Sequence, residues 1–210
     1  MISDDLAGHD VNFTPHSTMQ IWNGNGYDSF FYASPENATE WEAMMPEQGY
    51  GDFGGKWITG SFTMDSCAIT NGVGFWIDTD SESSIYFSGQ VYTPTETTKS
   101  LVAGLNLISN PFPLNWNIQD FTSTGLVGHN SNFEPQTMIQ IWNGNGYDSF
   151  FYASPENAVD WDIMMPEQGY GDFGGKWITG SFTLANDQII VPGKGFWITT
   201  VAPATLQFSR

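Results

Sequence analysis

The sequence predicts an all-β protein made of two tandem β-sandwich (jelly-roll-like) units, each with one short helix insertion. Three observations predict it. Short runs rich in Ile, Trp, Phe, Tyr and Thr alternate with Gly, Asn and Pro turn signals every roughly 8–12 residues, the spacing of sandwich strands. Each half carries one helix start and little other helical pattern. The chain also repeats itself. Gln20–Ala38 recurs letter for letter as Gln140–Ala158, and Met44–Thr63 as Met164–Thr183. Residues 20–63 match 140–183 at 40 of 44 positions, whereas 1–19 match 121–139 at only 7 of 19. A repeat of this period divides 210 residues into two units, each long enough to close its own core. The uneven matching has two readings: local gene conversion, or one surface kept for one purpose in both copies.

Residues 1–19 read as an irregular lead-in, with Leu6-Ala7-Gly8-His9 echoed by Leu126-Val127-Gly128-His129. Met19 to Tyr32 reads as a β-hairpin. Strand formers flank Asn23-Gly24-Asn25-Gly26, and Asn-Gly supplies the positive φ angles of tight hairpin turns. Ser34 as N-cap, Pro35 at the first helical position and Glu36 in the first turn start a helix that Pro46 stops. Ala38, Trp41 and Met45 share its inner face. A glycine-aromatic loop follows, Gln48 to Gly55, and then strand-like Lys56–Thr59 and Ser61–Thr63. Gly72–Ile77 matches Gly193–Ile198 at an offset of 121, and Ser84–Phe87 and Ala204–Phe208 close the two copies.

Thr93–Thr98 reads as a polar linker, so the units are expected at 1–92 and 99–210 with the linker at 93–98. The next stretch, Leu101 to Ser109, is the most apolar strand of the chain and is ended by Pro111 and Pro113. Leu101, Leu105, Leu107 and Ile108 are its core-facing candidates. It has no counterpart ahead of the first unit, which is therefore expected to show an open apolar groove or an unpaired edge.

The motifs AGLNLISNPFP, IQIWNGNGYDSFFY and PGKGFWI, in that order, resemble a β-sandwich repeat family of secreted and cell-surface bacterial proteins. The resemblance covers 101–210, and 19–90 without the first motif. Two departures stand out: the Pro35–Gly55 insertion, and Leu105 where the family pattern has tryptophan. The resemblance implies extracellular β-sandwich modules and carries over no catalytic residues.

With 5 Lys+Arg against 23 Asp+Glu and a net charge of −18, the chain lacks the clustered cations that nucleic acid or anionic membranes require. The single Cys67 excludes an intramolecular disulfide. No apolar run approaches the length of a membrane span. Ser, His and Asp occur without a nucleophile elbow, and Glu40 and Glu42 point to different helix faces, so an enzyme is not expected. His9 and His129 lack His or Cys neighbours at zinc-ligand spacing.

Two groups of residues are site candidates. Asn23, Asn25, Asp28 and Asp52, with Asn143, Asn145, Asp148 and Asp172, are oxygen-rich and glycine-spaced. They read either as a calcium site or as plain turn chemistry. Tyr50, Phe53 and Trp57, with Tyr170, Phe173 and Trp177, read either as an assembly or sugar-binding surface or as core. The expectation is a structural, self-associating extracellular protein, a head-to-tail homopolymer forming a filament, sheet or surface layer. The alternative is a carbohydrate-binding or adhesive module whose partner is a polysaccharide.

Overall fold

The computed structural model describes residues 2–3, 5–64, 69–86 and 95–209. Cys67, Phe87 and the linker residues Thr93–Pro94 lie outside them. The fold is mostly β, with antiparallel sheets and two α-helices. The chain forms two compact units: residues 1–70 with 75–91, and residues 71–74 with 92–210. The first boundary is thus interrupted by four residues that belong to the second unit.

The first unit contains β1 (Ile2–Ser3), β2 (Ser17–Trp22), β3 (Tyr27–Ala33), α1 (Pro35–Met44), β4 (Lys56–Thr59), β5 (Phe75–Thr79) and β6 (Ile85–Tyr86). Its main sheet has the order β4-β3-β2-β5, and β1 pairs with β6. The second contains β7 (Glu96–Leu101), β8 (Gly104–Ser109), β9 (Trp116–Asn117), β10 (Thr122–Thr124), β11 (Thr137–Trp142), β12 (Tyr147–Ala153), α2 (Pro155–Met164), β13 (Lys176–Thr179), β14 (Ile189–Ile190), β15 (Gly195–Thr200) and β16 (Ala204–Ser209). These form a five-stranded sheet β13-β12-β11-β15-β8, a three-stranded sheet β10-β16-β7 and the pair β14-β9.

The core of the second unit draws on both larger sheets. Ile108, Ile139, Ile141, Phe150, Tyr152, Trp177, Phe196 and Ile198 come from one, and Leu101, Ala204, Leu206 and Phe208 from the other. Trp116 stacks on Phe208 with ring centroids 4.2 Å apart. Side chains alternate across a strand, so Ile178 on β13 faces away from Trp177 and joins Ala153, Ala158, Trp161 and Phe173 under α2. The helix therefore covers the face of the sheet opposite the main core. In the first unit Ala33, Trp41, Phe53 and Ile58 make the same small cluster under α1.

Each helix begins where its sequence signals it. The Ser34 hydroxyl accepts from the Asn37 N–H, and the Asn37 side chain accepts from the Ser34 N–H, a reciprocal cap with Pro35 in the first turn. Ala38 and Trp41 are buried as expected, but Met45 is the half-buried C-cap rather than part of the inner face.

Four expectations change. Ser61–Thr63 is not a strand. Phe62 takes a left-handed φ of 56°, and the Thr59 N–H donates to the Thr63 carbonyl at 2.9 Å, closing a tight loop. The apolar run from Leu101 to Ser109 is not one strand either. It turns at Val102–Ala103, so that β7 pairs with β16 in one sheet and β8 with β15 in the other. The side chain of Asn106 holds this turn, accepting from the Val102 N–H and donating to the Val102 carbonyl. Gly104, at φ 98°, makes the reversal without a Cβ clash. Glu96–Thr98, read as linker, is paired strand.

The fourth concerns the opening strand. A strand has two hydrogen-bonding edges, and β8 uses both. Along one it pairs with β15; along the other Val73 bridges Ile108, with Ser109 N–H donating to Gly72 O and Gly74 N–H to Leu107 O. Leu101, Leu107 and Ile108 are buried and Leu105 half-buried. In the first unit the hairpin residues Met19, Ile21, Phe30 and Tyr32 are buried, but β5 is the last strand of its sheet, where the second unit adds β8 beyond β15. The flanks of the hairpin also differ from the second unit. Trp57, Phe75 and Ile77 are half-buried, whereas the corresponding Trp177, Phe196 and Ile198 are buried.

Candidate functional site

The repeated block builds the same surface twice: a hairpin tip, a capped helix and the loop that packs on it. At the tip, Trp22 on β2 pairs with Tyr27 on β3, rings edge-to-face at 5.2 Å; Trp142 and Tyr147 repeat this at 5.1 Å. Cross-strand neighbours at such a site lie within direct side-chain contact.

Asn23 organises the turn between them. Its Oδ1 accepts from the backbone N–H of Asn25 and Gly26, and its Nδ2 donates to Asp28 Oδ1 at 2.8 Å. Asn143 repeats all three contacts, with Nδ2 to Asp148 Oδ1 again at 2.8 Å. The side-chain oxygen that a calcium loop would offer at this position is engaged by its own turn. Asp52 and Asp172 are exposed on the short 3-10 turns Tyr50–Phe53 and Tyr170–Phe173. Among the described residues no group of three or more His, Cys, Asp or Glu side chains gathers to hold a metal.

The six aromatics read as a contact surface are not brought together as one. Phe53 and Phe173 are buried and Tyr50 and Tyr170 half-buried under the helices, with Tyr50 and Phe53 rings 5.3 Å apart. Trp177 is buried on the opposite face of its sheet, against Tyr152, and Trp57 packs on Tyr32 in the same way. Alternation along β4 and β13 separates these tryptophans from the loop rings. No flat platform can include both sets.

Sequence reasoning missed a second constellation, centred on the two histidines. His9 lies in the lead-in, its ring edge-on to Trp41 at 5.1 Å and beside Phe62 and Phe31. His129 repeats this against Trp161 at 5.0 Å, Phe182 and Phe151. The backbone of each histidine grips the helix cap: the His129 N–H donates to Asn157 Oδ1 at 2.6 Å, and Asn157 Nδ2 donates to the His129 carbonyl at 2.9 Å. His9 and Asn37 do the same. Approach this close requires the preceding glycine. A Cβ on Gly8 or Gly128 would stand 1.8 Å from the asparagine oxygen.

Phe13 and Phe133 stack on Trp41 and Trp161 from a loop closed by residue 10 or 130. Asp10 Oδ1 accepts from the Asn12 and Thr14 N–H groups, which hold its carboxyl below the ordinary carboxylate range, the Thr14 N–H contributing most. Asn130 makes the same contacts without a charge. The available signal was the Leu-x-Gly-His context shared by two otherwise diverged lead-ins.

Comparison with family models, characterised proteins and solved structures finds no significant match. Among the described residues, no helix is long and apolar enough to cross a membrane.

Proposed function

We propose that the chain is a structural, non-enzymatic module of an extracellular or cell-surface assembly. It would be built as two tandem β-sandwich-type units that present one surface twice and associate with further copies of the chain. The observation that supports this is the match in what corresponding positions of the two units leave exposed. Tyr27 and Tyr147 are 41% and 43% exposed, Phe13 and Phe133 40% and 41%, and Met44 and Met164 59% and 54%. Apolar surface held in water at corresponding positions of two units suits a repeating partner, because each patch meets an equivalent surface. Head-to-tail contact stays within this reading, because the sheet of the first unit ends at β5, where that of the second continues to β8.

A second reading, binding of a neutral polysaccharide, is favoured by the hairpin tips alone. Each offers a Trp–Tyr pair beside an Asn–Asp pair, an apolar ring next to planar hydrogen-bonding groups. Two copies on one chain would add avidity. Light scattering with negative-stain imaging over a concentration series, beside a glycan array, tests both readings. Concentration-dependent polymers without glycan hits support the first; monomers that bind a polysaccharide support the second. Monomers without glycan hits would sink both.

A further inference from the structure

Each helix cap is held by a histidine whose ring nitrogen has no partner. His9 Nδ1 and His129 Nδ1 are both buried and neither makes a hydrogen bond. On the other side of each ring a backbone carbonyl, of Tyr32 or Tyr152, favours the protonated ring. The remaining walls are Trp41, Phe31 and Phe62 in one unit and Trp161, Phe151 and Phe182 in the other. A neutral imidazole with its proton on Nε2 fits this cage. A second proton on Nδ1 would be buried without an acceptor, a cost that proteins relieve by shedding the proton or exposing the group.

We propose that His9 and His129 are acid-release latches: the neutral ring, seated in its aromatic cage, holds the helix cap to the lead-in, and protonation expels the ring and frees α1 and α2 from their sheets. The ring and the clamp belong to one residue. Where the lead-in swings away with the ring, it takes with it the His129 N–H and carbonyl that grip Asn157, and Asn157 is half of the α2 cap. The helix then loses its tether and its cap together.

The surrounding charges differ between the two latches, which makes an internal comparison. Around His9, the Asp10 carboxylate favours the proton and His16 opposes it. Around His129 these positions are Asn130 and Gln136. Glu134 on that loop is bonded to the Asn130 amide. On the helices Glu36, Glu40, Glu156 and Asp160 are exposed, while Glu42 and Asp162 accept from the Gly51 and Gly171 N–H groups. Phe31, Phe62, Phe151 and Phe182 bring no charge from the strands and loops. Burial is the largest influence on both rings and lowers their pKa below the ordinary histidine value.

The sign follows. The folded form binds the proton less readily than the unfolded chain. The latch therefore contributes its full stability above the unfolded histidine value, about 6.5. That contribution falls as pH drops through this value and is gone below the folded pKa. Between the two values each latch weakens by up to about tenfold per pH unit, the slope of one proton.

The test uses the whole chain. Imidazole NMR titration gives the three histidine pKa values directly, and amide exchange between pH 7.5 and 5 reads helix protection. The expected result is His9 and His129 titrating below 6.5, with protection of α1 and α2 lost ahead of the sheets. The H9Q/H129Q variant, which keeps a donor for the tyrosine carbonyl but cannot titrate, should show a flat profile over this range. An H16Q variant, which removes the charge that opposes the His9 proton, should raise the His9 value and leave that of His129 unchanged. Wild-type rings titrating at or above 6.5, or helix protection independent of pH over this range, would overturn the proposal. The wild-type measurements decide it even where the double variant does not fold.

Discussion

Four phenylalanines, Phe13, Phe62, Phe133 and Phe182, sit at positive φ. A left-handed backbone costs a bulky residue roughly 1–2 kcal/mol, so the rings must recover it. They do so by packing on Trp41 and Trp161, where an aromatic pair adds about 0.5–1.5 kcal/mol beyond its buried area. The same economy of space governs Gly128. Its replacement by Ala would drive a methyl group into Asn157 Oδ1 and break the cap clamp. The expected loss is about 2–4 kcal/mol of unfolding free energy, the range for a lost buried hydrogen-bond network, read by urea denaturation. A loss below 0.5 kcal/mol would show that the lead-in can shift away. The identity of these residues was visible in the sequence, but their roles were not. A φ angle for phenylalanine and an asparagine bridging 28 positions are products of tertiary contact, and no local pattern encodes them.

At the scale of elements, the helix start was legible from Ser34, Pro35 and the downstream Pro46, because capping is local chemistry. Ser154→Ala should therefore cost about 1 kcal/mol, the ordinary value of an N-cap. Asn157→Ala should cost more, since it also releases both backbone groups of His129; chemical denaturation of the two variants orders them. The hairpin was legible for the same reason, through Asn-Gly. The break at Val102–Ala103 was not. An apolar run reads as one strand until the partners of its two halves, β16 and β15, are known. The second helix carries a further feature. Of the four positions that differ within the repeated block, two place Val159 and Ile163 where the first helix has Thr39 and Ala43. They are 60% and 74% exposed, one turn apart on the outer face. V159T/I163A should leave the melting temperature within a few degrees of wild type and reduce self-association in light scattering. Unchanged association would remove this stripe from the contact surface.

For the whole molecule, charge opposes the proposed assembly. At −18, like copies repel, and that repulsion is screened beyond a Debye length, about 30 Å at 0.01 M salt and 8 Å at 0.15 M. Association should therefore strengthen as salt rises from 0.01 to 0.3 M. Sedimentation at fixed protein concentration measures it. Association that weakens with salt would point instead to ion-paired contacts, for which a chain with 5 Lys+Arg has few donors.

The pairing of β7 with β16 has a mechanical consequence. Glu96 lies opposite Ser209 and Leu101 opposite Ala204, so the start of β7 and the end of β16 lie at the same end of one antiparallel ladder. Tension applied through Glu96 and Ser209 pulls across that ladder, loading one rung at a time, like a zip opened from its tab. Tension between Glu96 and Pro203 would instead load all the rungs together, in shear. With a single-molecule tether attached through Ser209→Cys, the unit should open at a markedly lower force than with the tether at Pro203→Cys. Equal forces would mean that the ladder is not where the unit first yields. Fixed in a surface layer by these two points, the unit would give way early under load and lengthen before its anchors did.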